Sequence, residues 1–290
     1  MAGGARALKR RIKVVKNTQQ ITNAMKMVAA AKLKVAQAKI EAAAPYTDKM
    51  QEILNRLLQG TDKLSHPLTV EKEGNNRLAL VIFTSDRGLC GSFNSNLIRK
   101  GQTFVDSLLK EGKQVSLMAV GERGYAYFSK RKYRVIASHT GLEPKIRFQD
   151  CKRIGDRIKE LYTEDDFDSV HICYPKFKNT MTVIPTVIPF LPLAAEISPS
   201  NESDTDYIFE PEVEKLYNSL IPRYVDMQLF RLLIESMTSE YATRMTAMTA
   251  ATDNADEVID NLTITYNKMR QSAITSELLD IVGGANALSG

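Results

Sequence analysis

The stretch of this sequence that most resembles a chemical site contains two glycines and a cysteine, Thr84-Ser-Asp-Arg-Gly-Leu-Cys-Gly-Ser92, and follows an apolar run. Glycine-containing turns between a strand and a helix can bind phosphate through exposed backbone N–H groups. The stretch lacks both the P-loop spacing and the G-x-G-x-x-G spacing of dinucleotide sites. We therefore interpret it as a tight strand–helix connection and keep nucleotide binding by the Asp86–Gly91 turn as an alternative. Cys90 has no histidine near it in sequence and is expected to be a small buried residue.

Other candidate catalytic or metal-binding residues are scattered. The histidines are His66, His139 and His171. None has the spacing of a metal-ligand motif, and His171 is expected to be a packed, hydrogen-bonded core residue. The acidic run Glu164–Asp166 is interpreted as a solvated bend. These residues form no catalytic constellation, so we predict a protein that is not an enzyme by itself and that carries no cofactor.

Composition sets further bounds. The chain has 290 residues, of which 43% are hydrophobic, and a formal net charge of +5. No apolar run approaches the roughly 18 residues that a membrane span needs. The cysteines Cys90, Cys151 and Cys173 are far apart and show no C-x-x-C spacing, which predicts a reducing compartment without a disulfide framework or zinc site.

The N-terminal segment is strongly basic. Residues 1–40 contain ten Lys/Arg and no acid, and Glu41 is the first carboxylate. This imbalance indicates an acidic partner, which could be a protein, a nucleic acid or a phosphate. Nucleic acid is disfavoured because no aromatic residue for base stacking precedes Tyr46. A basic coiled-coil adaptor stays as a second alternative. The segment has few serines and a continuous helical pattern, so we interpret it as mature protein and not as a transit peptide.

The same segment has a helical repeat. Apolar residues dominate positions that alternate by four and three: Leu8, Ile12, Val15, Gln19, Thr22, Lys26, Ala29, Leu33, Ala36, Ile40 and Ala43. The repeat of 3.5 residues is typical of a coiled coil, with a polar interruption at Gln19, Thr22 and Lys26. Ile21, Met25 and Val28 form a second stripe beside the interruption, so this part of the helix is predicted to face two partners. The pattern resumes after Pro45, and the arm is about 80 Å long at 1.5 Å per residue.

The C-terminal segment has a longer repeat. It contains no proline from Arg223 onward, and its seam is Tyr241, Met245, Met248, Thr252, Ala255, Ile259, Leu262, Tyr266, Met269 and Ala273. The register then slips by one residue and continues through Ile274, Leu278, Ile281, Ala285 and Leu288. A helix of about 100 Å is too long for a compact core. We predict that the two arms cover each other as an antiparallel coiled coil and that the tip of the C-terminal arm projects past its partner.

Between the arms the pattern changes to short apolar runs. The predicted strands are Leu78–Thr84, Val115–Val120, Val135–Ala137, Ser169–Tyr174 and Thr182–Ile188. Helical stretches near 94–111 and 147–162 separate several of them, which predicts βαβ units and a mostly parallel, Rossmann-like α/β sheet. The predicted organisation is an N-terminal helix over 1–58, an α/β domain over 75–195 and a C-terminal helix over 210–290.

Four segments of the sequence carry a resemblance to a known family: Asn17–Lys32, Ser85–Gly91, Ala250–Asn254 and Tyr266–Ala285. The first is similar to the N-terminal helix, the second to the first strand–helix turn, and the last two to the C-terminal helix of the gamma subunits of F-type ATP synthases. The resemblance covers essentially the whole chain in the right order.

The resemblance implies a rotor, the central stalk of the complex. Its helices turn inside a ring of alpha and beta subunits, and its α/β domain stands on the c-subunit ring beside the epsilon subunit. The family pattern implies these contacts to the beta subunits: Met25, Lys26, Arg244, Arg270, Gln271, Thr275 and Glu277. It implies contacts to the c-ring and epsilon at Tyr207, Phe209 and Glu210. Lys26 has a plain alternative as a solvated exception in the heptad repeat.

One departure from the family is informative. The chloroplast members carry an inserted segment with a redox-active cysteine pair, which this sequence lacks, so redox regulation of that kind is not expected. With no transit peptide identified, the expected setting is the cytoplasmic side of a bacterial plasma membrane, attached peripherally, with the mitochondrial inner membrane as the second choice.

Overall fold

A computed structural model of the chain describes residues 2–59, 64–72, 74, 76–142, 147–164, 166–193 and 212–288. The helices and strands of these residues are α1 (Ala2–Gln59), β1 (Arg77–Phe83), α2 (Phe93–Lys110), β2 (Gln114–Val120), α3 (Glu122–Phe128), β3 (Arg134–His139), α4 (Phe148–Thr163), β4 (Ser169–Phe177), β5 (Val183–Leu191) and α5 (Val213–Leu288). Two compact units result. The helix-pair unit comprises residues 1–29 and 244–290, and the α/β unit comprises residues 30–243.

The α/β unit is built on one sheet with the strand order β3-β2-β1-β4-β5. The first four strands are parallel, and β5 is antiparallel to β4. The prediction of a mostly parallel α/β sheet is confirmed. Apart from its first residue, β1 is buried throughout, because helices cover both faces of a parallel sheet and its inner strands are therefore apolar on both sides.

The residues of β1 alternate between two cores. Leu80 and Ile82 lie in a core with residues of α2, such as Leu97. Ala79, Val81 and Phe83 lie in the other core, which contains residues of α4, of α5 and of the end of α1. This alternation follows from the two-residue period of a strand. A three-layer arrangement of helices, sheet and helices is the result.

The strand and helix boundaries agree with the predictions to within a few residues, with two differences. The seven-residue helix α3 was not predicted, because two turns are too short to show a periodic pattern. β5 extends to Leu191, beyond the predicted end at Ile188. It includes Pro185 and Pro189, which an edge strand tolerates because one side of its backbone has no strand to bond.

Each of the two long helices contains a proline, as the predicted helical segments 1–58 and 210–290 do. α1 runs through Pro45 without ending, although a proline inside a helix removes one backbone hydrogen bond. α5 begins at Val213 and contains Pro222 in its third turn, whereas the proline-free stretch begins at Arg223. The segments flanking both prolines belong to the α/β unit, where Leu54 of α1 and Tyr224 of α5 are fully buried, and tertiary packing outweighs the local cost.

Candidate functional site

The helix-pair unit is an antiparallel pairing of the first part of α1 with the last part of α5. Thr22 Oγ1 lies 2.8 Å from Thr252 Oγ1, and Gln19 donates a hydrogen bond to Asp256. From the first contact to the second, the position moves toward the N-terminus in α1 and toward the C-terminus in α5. The two helices are therefore antiparallel. The direction of pairing that the heptad repeats predicted is confirmed.

The seam itself lies where the spacing placed it. On α5, Met248, Ala255 and Ile259 are buried at 5%, 8% and 9% exposure, and on α1 Ala29 is 2% exposed. The polar interruption is matched by polar residues on the opposite helix. Thr22 also donates to the carbonyl of Gln19 at 3.0 Å. Polar side chains that pair within an apolar seam favour one register over others.

The second stripe on α1 is exposed in the chain alone. Ile21 and Val28 are 60% and 55% exposed, while Met25 and Lys26 are partly buried. Val14, one heptad before Ile21, is 60% exposed as well. The prediction that this stripe faces a second partner therefore stays a prediction.

The remaining contact candidates lie on α5. Arg244 is partly buried, whereas Arg270, Gln271, Thr275 and Glu277 are exposed. The Thr275 hydroxyl donates to the carbonyl of Gln271 at 3.0 Å, within the helix. In the described part of the chain, no ion pair involves Arg270 or Glu277. Their charges are therefore available to solvent or to a partner. The candidates Tyr207, Phe209 and Glu210 lie outside the described residues.

The tip of α5 has an exposed apolar surface at the end of the arm that the sequence predicted to project past its partner. A Cβ placed on Gly4 would lie 2.8 Å from the side-chain methyl carbon of Met269, so α5 extends beyond the start of α1 from about Ala273 onward. The exposed apolar residues of the tip are Ile274, Leu278, Leu279, Ile281 and Val282, with exposures between 49% and 68%. Exposed apolar surface of this kind is typical of interaction sites. The slip in heptad register at Ile274 was its signal in the sequence.

The glycine-containing turn at the end of β1 is occupied by contacts within the protein. The Asp86 carboxylate accepts hydrogen bonds from the backbone N–H groups of Glu122 and Gly141, both at 3.0 Å. It thereby joins the loops that follow β1, β2 and β3. In a nucleotide site, backbone N–H groups at this edge of the sheet would instead be free to bind phosphate.

The space between this turn and α5 is also too small for a nucleotide. Leu233, Met237 and Glu240 of α5 face Thr84 and Asp86 across a cavity of about 30 Å³, roughly the volume of one water molecule. The nucleotide-binding alternative is therefore not favoured. Gly121 makes the close approach of the next loop possible, because it has φ of 100° and a Cβ there would lie 2.1 Å from the Thr84 carbonyl oxygen.

The cysteines and histidines have structural environments. Cys90, Cys151 and Cys173 are all free and buried, and burial raises the pKa of Cys151 and Cys173 to about 12. Burial also lowers the pKa of His139 and His171. The expectation that His171 is hydrogen-bonded is wrong for Nδ1, which is buried without a hydrogen-bond partner among the described residues, because the ring packs against Phe104 at 5.2 Å.

The acidic run at residues 164–166 is described in part. Glu164 and Asp166 are exposed, as predicted for a solvated bend, and Asp165 lies outside the described residues. No group of three or more His, Cys, Asp or Glu side chains that could hold a metal ion occurs in the described part of the chain. None of the described helices is long and apolar enough to cross a membrane.

Sequence comparison identifies relatives along the whole chain. The family model described as ATP synthase matches residues 4–288. The ATP synthase gamma chain of Desulfitobacterium hafniense is 44% identical over 284 residues, which cover 98% of this chain and 99% of the relative. That of Symbiobacterium thermophilum is 42% identical over 291 residues and covers both chains completely.

Solved structures give the same result for the fold. A chain in the central stalk and c-ring structure of the Tetrahymena thermophila mitochondrial ATP synthase matches with a TM-score of 0.60 at 27% identity, covering 80% of this chain and 99% of that one. A chain of the Euglena gracilis mitochondrial ATP synthase matches with a TM-score of 0.67 at 20% identity, covering 99% and 95%. With gamma chains similar to it over its full length, and with paired terminal helices and an α/β unit, this chain belongs to the ATP synthase gamma-chain family.

Proposed function

We propose that this chain is the rotor of a proton-translocating ATP synthase, the central stalk that couples rotation of the c-ring to conformational change at catalytic sites in the beta subunits. The observation that carries the proposal is the antiparallel helix pair with a bare apolar tip. Its partners are the alpha and beta subunits, the epsilon subunit and the c-ring. The similar chain from Tetrahymena thermophila comes from a central stalk and c-ring structure, and the one from Euglena gracilis from a structure of OSCP, F1 and the c-ring.

A rotor must transmit torque without slipping along its own seam. Small buried residues such as Ala29 and Ala255 allow the helices to approach closely. The Thr22–Thr252 contact and the Gln19–Asp256 contact fix the register. A one-heptad slip would place Thr22 opposite Met245 or Ile259 in place of Thr252 and lose the contact between the two hydroxyls, which contributes about 0.5–1.5 kcal/mol. The pair therefore turns as one body.

A rotor must also present different faces in different directions. In the helix-pair unit, the α1 segment carries seven Lys/Arg and no acidic residue, whereas the α5 segment carries six acidic and three basic residues. One side of the shaft is thus positive and the other is negative on balance. Three equivalent subunits around such a shaft would experience three different electrostatic environments at any one angle, and each third of a turn would exchange them.

The contacts to the beta subunits are part of the proposal. We assign them to Arg270, Gln271, Thr275 and Glu277, which are exposed, and to Arg244, Met25 and Lys26, which are partly exposed. Solvent-exposed ion pairs contribute only about 0.2–1 kcal/mol each. Contacts of this strength can be exchanged at every step of rotation. Tyr207, Phe209 and Glu210 are assigned to the c-ring and epsilon on the family pattern alone.

The chain itself has no catalytic role in this proposal. Support comes from the glycine-containing turn, where Asp86 is engaged by the backbone and α5 fills the adjacent space. The setting proposed is the cytoplasmic side of a bacterial plasma membrane, which the bacterial sources of the two relatives above favour. Attachment to the membrane is peripheral and occurs through the complex.

A reversible crosslink tests the rotor. The complex carries Glu277→Cys and a cysteine introduced in the facing loop of beta. The native cysteines Cys90, Cys151 and Cys173 are 1%, 0% and 0% exposed, so the introduced thiol is far more accessible than they are. We expect oxidation to abolish ATP hydrolysis and reduction to restore it, because a disulfide to beta prevents rotation. Thr103→Cys, exposed on α2, is the matched control and should leave turnover unchanged.

Undiminished ATP hydrolysis with the crosslink intact would contradict a rotating contact at the tip. Unwinding of the last turns of α5 could permit turnover even in a rotor. A second crosslink at Arg270→Cys lies about two helical turns further from the end of α5, so unwinding of the last turns cannot explain turnover with that link closed. Full activity with both links closed would refute the proposal.

A further inference from the structure

A second concave site lies at the opposite edge of the sheet from the glycine-containing turn. The first residues of three neighbouring strands line it: Arg77 of β1, Gln114 of β2 and Arg134 of β3. Arg157 of α4 completes a cavity of about 450 Å³. This volume falls in the range of small-molecule sites.

The strand register brings these side chains together. In the strand register, Arg77 of β1 lies beside Gln114 of β2, and Ser116 of β2 lies beside Arg134 of β3. Neighbouring strands lie about 4.8 Å apart. Gln114 and Ser116 are two residues apart on β2 and therefore point to the same face of the sheet. The fold thus places two guanidinium groups, an amide and a hydroxyl along one wall.

Among the described residues, several of these polar side chains have no hydrogen-bond or ion-pair partner. Ser116 is 4% exposed, and its hydroxyl has no hydrogen-bond partner among the described residues. The same is true of the Arg134 guanidinium and the Gln114 amide in that part of the chain. Ser116, Gln114 and Arg134 all line the cavity. The cavity therefore combines a hydroxyl, an amide and a guanidinium that are available to a ligand.

The lining of the cavity has more basic than acidic side chains. Of its charged lining residues, Arg77, Arg134 and Arg157 are basic and Asp166 is acidic. Arg77 is paired with Asp168 at 2.7 Å, outside the cavity lining. Arg157 is paired with Glu160 at 2.6 Å, in an exposed pair one helical turn long. Such exposed pairs are weak and can be exchanged for another anion. Lys130 and Lys132 lie just before β3 in sequence, and both are exposed.

We propose that this cavity binds a phosphoryl group carrying two or more negative charges. Guanidinium groups match the geometry of phosphate oxygens through paired N–H donors. Ser116 and Gln114 would supply further hydrogen bonds. The phosphoryl group can belong to a free phosphate compound or to the headgroup of an anionic lipid. The proposal is independent of the rotor function, since it concerns a different unit of the chain.

Binding of inorganic pyrophosphate to the purified full-length chain, measured by titration calorimetry at low ionic strength, tests the site. We expect Arg134→Ala to weaken binding about tenfold or more, because it removes a bidentate charge-assisted contact. Gln114→Glu, an exposed change that adds negative charge at the wall, should weaken it at least as much. Arg99→Ala is the matched control: Arg99 is exposed on α2, and its guanidinium donates to the Asn96 side chain at 3.0 Å.

A vesicle arm distinguishes the two sources. The chain is sedimented with vesicles of phosphatidylglycerol and phosphatidylcholine in equal parts. Loss of vesicle binding in Arg134→Ala but not in Arg99→Ala identifies a lipid headgroup, while loss of pyrophosphate binding alone identifies a free phosphate compound. No pyrophosphate binding by the unaltered chain, or equal weakening by the Arg99 change, would overturn the proposal. If Arg134→Ala fails to fold, Gln114→Glu and Arg134→Lys decide the outcome in the same assays.

Discussion

Replacing Asp168 by Asn tests how the first strand of the sheet is anchored. The Asp168 side chain is 5% exposed. One of its oxygens accepts hydrogen bonds from the backbone N–H groups of Asn76 and Arg77, both at 2.9 Å. The other accepts from the Arg77 guanidinium at 3.2 Å and 2.7 Å. Asn is nearly isosteric and keeps one acceptor, but it removes the charge and turns an amide NH₂ group toward the guanidinium.

The expected loss follows from these contacts. Hydrogen bonds to charged groups contribute about 1.5–3 kcal/mol each. Because the Arg77 side chain is 44% exposed, water compensates part of the loss on that side. We therefore expect Asp168→Asn to lower the free energy of unfolding by about 2 kcal/mol at neutral pH. The measurement is urea unfolding followed by circular dichroism.

The same change predicts an altered pH dependence. Burial opposes ionisation of Asp168, but the hydrogen bonds from Arg77 and the backbone N–H of Asn76, together with the Arg77 charge, more than offset it, so the pKa of this carboxyl lies below its usual value. A lowered pKa in the folded state stabilises the fold above the unfolded pKa, about 3.9. This stabilisation is lost as the pH falls through the lower, folded pKa. The variant should lack that part of the acid destabilisation.

The matched control is Asp166→Asn, which removes the same charge two residues away from an exposed side chain. We expect it to change the stability by less than about 0.5 kcal/mol. If Asp168→Asn matched this control in stability and in pH dependence, the anchoring role of Asp168 would be refuted.

Two further changes test packing and register. Gly155→Ala would place a Cβ 2.5 Å from a carboxylate oxygen of Asp226, which also accepts a hydrogen bond from Lys159 at 2.7 Å. We therefore expect the free energy of unfolding to fall by about 1–3 kcal/mol, measured as a lower melting temperature. An unchanged melting temperature would show that α4 and α5 can move apart at this position without cost. Thr252→Val should lower the free energy of unfolding by about 1 kcal/mol, because it removes the 2.8 Å contact to Thr22. In a double-mutant cycle with Thr22→Val, a coupling energy near zero would exclude a direct contact that sets the register.

The sequence predicted the seam of the helix pair because its physical cause is local. A 3.5-residue repeat depends only on spacing along one helix, and the buried positions Ala29, Met248 and Ile259 all belong to the predicted repeat. The sequence could not predict the relative register, since a heptad repeat fits several alignments that differ by seven residues. The contact between Thr22 and Thr252, 230 residues apart, selects one of them.

The candidate sites also divide into one that depends on local spacing and one that depends on contacts between residues distant in sequence. The bare tip followed from the greater length of the C-terminal repeat, and the exposure of Leu278 and Ile281 agrees with it. The cavity at the amino edge of the sheet could not be predicted. It depends on pairing between Arg77 and Gln114 and between Ser116 and Arg134, and a sequence without strand register does not show which polar residues meet. The Asp168 anchor was missed for the same reason, because its partner is 91 residues away.

The separation of the two terminal helices in sequence has a consequence for how the chain folds. Closing a loop of about 230 residues before any local contact forms is entropically slow. Folding of the α/β unit shortens that search, because it brings Lys32 of α1 to 5.3 Å from the ring of Tyr241 of α5. From that point, pairing of the remaining segments can proceed as a zipper. During synthesis, the N-terminal helix must wait with its apolar seam uncovered until the last residues emerge, so its basic, acid-free surface also keeps it soluble in that interval.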